Sequence, residues 1–300
     1  MKAVFVIAFC VLFAATHAAA QNRGVYPLGM SATNSGLTPG AGFTYVNQLL
    51  YYSRDHAKDD EGNRLPVTGE NEVLMDMNTI AWVSEKKLPG DAIFSMVGTV
   101  PVAKNNLASD AKGNISGGSG LADSYWLPLV FAWNGESFSV RAMYGFLAPT
   151  GRYNAAASDN VGSGYWTHTV SSGQTFFLSA DKRLALSAFE MYEFHSTQDG
   201  TRTHPGDTFD FDYSLMKSFA GSRWQAGIAG YNARQVTATT GPAISASDSA
   251  NRYAVNALGL AISAAFPKQK AGVTFKYFNE FSNQSTFEGY SVQLSGSIAF

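Results

Sequence analysis

Cysteine is almost missing from this 300-residue chain, and the single one, Cys10, lies inside an apolar stretch at the start. No disulfide framework can hold the fold, and Cys10, preceded by Phe9, does not suit a lipid anchor. Charge is also scarce. Asp, Glu, Lys and Arg make up 15% of the chain, against about 25% in ordinary soluble domains, and a net charge of -2 leaves no footprint for nucleic acid. No later apolar run reaches the ~20 residues that a transmembrane helix needs. Metal-ligand spacing and a glycine-rich phosphate loop are both missing, so no cofactor is expected.

Aromatic residues are abundant, at 13%. Few charges and many aromatics suit a wall that faces lipid with an aromatic girdle at each edge. Overall hydropathy is nearly neutral, which excludes a helical membrane bundle but not a barrel whose strands are apolar on one face only.

The first twenty residues read as an export leader. Lys2 gives a positive start, Ala3–Ala15 is almost wholly apolar but too short for a span, and Ala18-Ala19-Ala20 offers a small-residue cleavage site. The mature chain is expected to begin at Gln21. Residues 21–41, rich in Gly, Pro and Ser, are expected to be a loose lead-in on the periplasmic side, the alternative being a small plug folded into a lumen. Residues 42–300 read as one all-β domain.

Alternation with period two marks strands that bury one face. It is sharpest at the end: Tyr290, Val292, Leu294, Gly296, Ile298 and Phe300 share one face, and Ser291, Gln293, Ser295, Ser297 and Ala299 the other. A terminal aromatic closing such a strand resembles the signal by which the barrel-assembly machinery recognises outer-membrane barrels. The preceding strand sets Val273, Phe275, Tyr277 and Phe281 outward and Thr274, Lys276 and Glu280 inward. Another sets Phe209, Phe211, Tyr213 and Leu215 outward and Asp210 and Asp212 inward. Phe138, Val140, Tyr144 and Phe146 oppose Arg141, while Tyr125, Leu127, Leu129, Phe131 and Trp133 oppose Trp126, Pro128 and Val130. Pro128 cannot donate to a ladder and marks a bulge or local break. In 184–195 the facing stays open: either Phe189 and Met191 face lipid with Glu190 inside, or Leu186, Tyr192 and Phe194 face lipid with Glu193 inside.

Weaker alternation elsewhere brings the total to about twelve strands. The connections alternate in length, short at 85–90, 134–136, 181–183, 220–223 and 267–270, long at 55–71, 104–124, 149–164, 199–206 and 237–251, with 283–286 a short exception. This is the pattern of an antiparallel transmembrane β-barrel with short periplasmic turns and long extracellular loops, placed in the outer membrane among lipid, with an even strand count and both termini in the periplasm.

Specific residues then resemble a family. Gly120-Leu121-Ala122-Asp123 leading into the Pro128 strand, Ala148-Pro149-Thr150-Gly151-Arg152-Tyr153, Gly164-Tyr165-Trp166 and Gly206-Asp207-Thr208-Phe209-Asp210-Phe211-Asp212-Tyr213 are similar, in order and spacing, to the meta-pathway phenol degradation proteins. Ala122 stands where a glycine is commoner. The resemblance covers most of 42–300. It implies an outer-membrane barrel, with passive uptake of aromatic or other hydrophobic small molecules as the expected role.

The inward charges Asp76, Arg141, Asp210, Asp212, Lys276 and Glu280 are candidates for a constriction that orients a solute, although buried ionic groups need partners whatever the function, and mutual pairing that stiffens the wall explains them equally. Trp82, Trp126 and Trp166 are candidates for an aromatic path along the lumen, against the girdle placement that Trp favours. A barrel hydrolase acting on lipids would need a histidine beside a nucleophile, and His168 and His195 are the only interior candidates; no enzyme is expected. Asp55, Asp59, Asp60 and Glu61 lack the spacing of a calcium loop. A surface-binding barrel with a sealed lumen is the remaining alternative.

Overall fold

A computed structural model describes residues 25–65, 69–109, 113–219, 221 and 223–300. The expected leader and its cleavage site lie outside the described residues. The strands are β1 (Gly42–Ala57), β2 (Gly69–Lys87), β3 (Ile93–Ser109), β4 (Gly113–Leu121), β5 (Ser124–Asn134), β6 (Phe138–Ala148), β7 (Thr167–Phe177), β8 (Leu184–His195), β9 (Thr208–Ser218), β10 (Trp224–Gln235), β11 (Ala254–Phe266), β12 (Ala271–Glu280) and β13 (Phe287–Ala299). All neighbours pair antiparallel, and β1 bonds to both β2 and β13, so the sheet closes on itself. β3 pairs with β4 along its upper half and with β5 along its lower half. β4 and β5 are therefore two stretches of one stave, and the barrel has twelve. Around the ring each stave pairs on both sides, as a lipid-spanning sheet requires, while β4, above β5, pairs with β3 alone among the described strands.

The stave breaks at Ala122-Asp123 for a visible reason. The Asp123 carboxylate accepts hydrogen bonds from the backbone N–H of Gly151 (2.9 Å) and Ser163 (2.8 Å) and from the Ser163 hydroxyl (2.5 Å), and the Arg152 N–H donates to the Leu121 carbonyl. The motif thus fastens the long β6–β7 connection onto the barrel rim. Short turns gather at one end: Pro89–Asp91 and Pro267–Gln269 each form one turn of 3-10 helix. That end is the periplasmic one, and Phe300 lies there, its N–H donating to the Phe43 carbonyl across the seam.

Outward residues form an apolar coat in which Leu49, Ile80, Val100, Val170, Leu186, Leu260, Phe275 and Leu294 are exposed, as lipid contact requires. Three positions correct the sequence reading. The β5–β6 register shifts between Trp126 and Leu129, around Pro128. The bulge reverses the phase: Tyr125 and Leu127 turn inward, while Trp126 is exposed and lies over Gly98 on the outer wall. Trp82 also faces out, edge-on to Phe94. Asp76 stands on the outer wall level with the exposed Leu49 and Val102, because its strand turns Met75 and Met77 inward instead. On β8 the second alternative holds: Leu186 and Phe194 are exposed, and Phe189, Met191 and Glu193 are buried. The expected long loop at 104–124 is largely strand, and that at 55–71 is shortened at both ends, since β1 to β4 run well beyond the apolar belt.

The core of the protein is inside the barrel. Residues 25–41 are no loose lead-in; they thread the lumen as a plug. Tyr26, Leu28 and Ala32 are buried against Phe189, Met191, Met216, Tyr231 and Phe278 from the staves. The fit depends on bare backbone. Gly29 has φ +79°, and a Cβ there would come within 2.7 Å of the Phe278 ring, while one at Gly36 would come within 1.9 Å of the Ser139 carbonyl oxygen.

Candidate functional site

The lumenal polar groups are arranged around this plug. Glu193 accepts from the backbone N–H of Val25 (2.9 Å) and Tyr26 (2.8 Å) and from the Thr208 hydroxyl (2.8 Å). Asp212 accepts from the Tyr26 hydroxyl (2.6 Å) and from the N–H of Gly29 (3.0 Å) and Ser31 (3.1 Å). Lys276 donates to the carbonyls of Gly29 (2.6 Å) and Met30 (2.7 Å). Arg141 donates to the Ser35 carbonyl (2.8 Å), and Gln293 and the Tyr52 hydroxyl both donate to the Leu28 carbonyl. A segment without regular secondary structure carries unpaired backbone groups that burial would make costly. Here the wall supplies a partner for them, acids to the N–H groups and cations or amides to the carbonyls.

Of the residues singled out in the sequence, Arg141, Asp210, Asp212, Lys276 and Glu280 face the lumen. They do not form one constriction. Glu280 belongs to a separate cluster at the extracellular end, where it takes a bidentate pair from Arg54 (2.9 and 3.0 Å from Nε, 2.5 Å from Nη2) and further bonds from Tyr231 (2.9 Å) and Asn283 (3.0 Å). Asp210 is buried with one carboxylate oxygen lacking a protein partner. Asp76, Trp82 and Trp126 lie outside the lumen. On the outer wall Asp76 accepts from Asn47 (2.5 Å), and Glu190 accepts from Ser172 (2.7 Å) and Gln174 (2.9 Å). Tyr26 and Arg54 are lumenal residues that the sequence pattern does not single out, and Glu193 is one that it leaves open. The ambiguous alternation of β8 leaves Glu193 as one of two alternatives, and Arg54 falls just before the stretch 55–71 read as a loop.

The two histidines weighed as bases are apart. His168 faces outward, bonded to the Tyr144 hydroxyl (2.9 Å), and His195 faces inward, its Nδ1 2.9 Å from the Thr167 hydroxyl and its Nε2 3.6 Å from Glu193.

Beneath the plug, on the β9–β13 side, the lumen widens into a chamber of about 570 Å³ toward the periplasmic end. Above it, apolar side chains line two sectors of the inner wall. One holds Leu50, Tyr52 and Met77, with Met30 of the plug against them; the other holds Val97, Tyr125, Leu127, Val130 and Met143.

Residues 54–295 match the family described as the MetA-pathway of phenol degradation. The chain belongs to that family. Among solved structures it is similar to the COG4313 outer membrane channel from Pseudomonas putida F1, with a TM-score of 0.76 at 12% identity over 89% of this chain and 98% of that one. It is less similar to the beta domain of the Bordetella autotransporter BrkA, with a TM-score of 0.53 at 10% identity over 87% and 100%. The transport unit of the Escherichia coli autotransporter AIDA-I gives 0.51 at 11% identity over 90% and 95%. At these identities the likeness shows the fold, an outer-membrane β-barrel. No curated protein matches the chain. Within the family frame, the glycine-aspartate motif acquires its physical role: Asp123 is the fastener of the β6–β7 connection, and Ala122 in place of the commoner glycine donates its N–H to the Pro101 carbonyl without distortion.

Proposed function

We propose that this family member is an outer-membrane channel for passive entry of small aromatic or other hydrophobic solutes, closed at rest by residues 25–41. The observation that carries the reading is the way the plug is held. Its latches are a few polar bonds to Glu193, Asp212, Lys276 and Arg141, and it lies against apolar sectors of the wall rather than a uniformly charged one. Displacing it exposes Leu50, Tyr52, Met77, Tyr125 and Leu127 to a passing solute. A ring burying on the order of 150 Å² there gains about 4 kcal/mol at ~25 cal/mol per Å². That is enough to favour entry and weak enough to permit release. The likeness to an outer membrane channel and the family's phenol-pathway description support the same reading.

The mutual pairing of Glu280 with Arg54 serves a different end. It stiffens the extracellular wall and favours the sealed-barrel alternative at that level only. Delivery to the outer membrane would use the terminal strand ending at Phe300 as the mark read by the barrel-assembly machinery. Uptake of phenols, benzoates and alkanes into liposomes carrying the purified protein tests the proposal. Flux above protein-free liposomes for a ring compound is expected, and equal flux with and without protein for every solute refutes it.

A further inference from the structure

The plug divides the charges of the lumen. Glu193, Asp210 and Glu280 lie level with it or toward the extracellular end, and Asp212 is turned into the plug by its bonds to Tyr26, Gly29 and Ser31. The chamber beneath is of opposite character. Among its described lining residues there is no carboxylate; Lys276 stands in the roof and Arg223 at the mouth. The walls carry Gln225, Ser263, Thr274, Ser295 and Ser297, and the apolar lining includes Met30 and Val46 near the roof and Trp224, Ala265 and Val273 lower down.

Hydrogen-bond donors are in surplus there. The Lys276 ammonium has three N–H groups and spends two on the Gly29 and Met30 carbonyls. Gln225 uses its oxygen to accept from Asn34 (3.1 Å), which leaves its amide N–H groups for a ligand. Ser263 and Thr274 share one bond of 3.0 Å between two hydroxyls, each of which can donate once. Two cations, a carboxamide and a ring of hydroxyls without an acid match the needs of a carboxylate, and the volume greatly exceeds the ~150 Å³ cavity that holds a benzene.

We propose that this chamber binds a small aromatic carboxylate, the carboxylate held by Lys276 and Gln225, the ring against Met30 and Val46, and Arg223 at the mouth drawing the anion in. As the substrate class of the channel it rests on the reading above; as a binding site it stands alone. The test is isothermal titration of the purified full-length protein in detergent with benzoate, benzamide and benzylammonium. Benzoate should bind at least about tenfold more tightly than benzamide, the worth of one charge-assisted hydrogen bond, benzylammonium should not bind, and added sodium chloride should weaken benzoate. Arg223→Gln, away from the plug, should weaken benzoate several-fold and leave benzamide unchanged; Gln225→Leu, which also removes the acceptor of the plug's Asn34, should weaken benzoate several-fold, while Asn34→Ala leaves benzoate binding unchanged. Equal affinity for benzoate and benzamide, or benzoate binding indifferent to both substitutions, overturns the proposal. Benzoate binding without uptake into liposomes would keep the site and remove the channel, whereas phenol uptake without benzoate binding would do the reverse.

Discussion

Glu193 is where the closed state can be opened with the least damage to the barrel. Replacing it with alanine removes the acceptor of the Val25 and Tyr26 N–H groups and leaves the twelve staves paired as before. An orphaned buried N–H costs about 1–3 kcal/mol, and because Val25 is only half-buried the two together weaken the seated plug by roughly 2–4 kcal/mol. At 1.4 kcal/mol per factor of ten, the ratio of seated to displaced plug falls by about 30- to 1000-fold. The loss is confined to the tip of the segment, since Asp212, Lys276 and Arg141 still hold Gly29 to Ser35. Glu193→Gln keeps one oxygen able to accept and should lie between. Conductance across planar bilayers reads the effect directly: wild type should give small or rare openings, and Glu193→Ala larger or more frequent ones, in the order Ala, Gln, wild type. Indistinguishable conductance in all three, with unfolding midpoints that confirm an intact barrel, refutes the view that this carboxylate latches the plug.

Arg54→Met strands the Glu280 carboxylate, which is buried with only neutral partners left, and should lower barrel stability by about 3–5 kcal/mol in urea unfolding from lipid vesicles. Asp76→Leu should be neutral or stabilising in the same assay, because the residue lies on the lipid-facing wall, where charge is a cost; strong destabilisation would show that Asp76 faces the lumen after all. Asp181, in the β7–β8 turn, is held down to about 2 by the Ser179 hydroxyl first and by Arg183. A depressed folded value contributes stability above the ordinary carboxylate range and loses it as pH falls toward 2, so Asp181→Asn should flatten the acid limb of the stability profile between about pH 4 and 2. An unchanged limb would contradict that bond.

The sequence showed the barrel most clearly where the lumen is lined with small polar or charged residues. On β9, β12 and β13 every second position is apolar, and the inward Asp210, Asp212, Lys276 and Ser291 give the faces away. It failed where the plug supplies an apolar interior. Met75 and Met77 on β2 and Phe189 and Met191 on β8 turn inward to pack against or beside residues 26–32, so hydrophobicity no longer distinguishes lipid from lumen. For that reason the pattern points Asp76 inward and leaves the facing of β8 open. Trp126 failed for a different reason: Pro128 announced a bulge, but which half of the strand changes phase is set by pairing with β6. The plug itself was illegible because its bonds run from backbone to side chains some 180 residues away, as between Gly29 and Asp212, and leave no local period. The polar stretch 104–124 lacks alternation because its strands rise beyond the apolar belt.

The seam between β1 and β13 has a bearing on how the molecule is made. Residues 25–41 run directly into β1 and are gripped by β6, β8, β9 and β12, so those staves must exist before the segment has anywhere to dock. A ring already welded shut would have to be threaded by its own N-terminal tail. The simplest assembly order is therefore a curled open sheet that takes up the tail first and joins its two margins, Phe43 to Phe300, last. The plug is then a form on which the final cylinder closes, and a chain lacking it should close more slowly or at a different circumference.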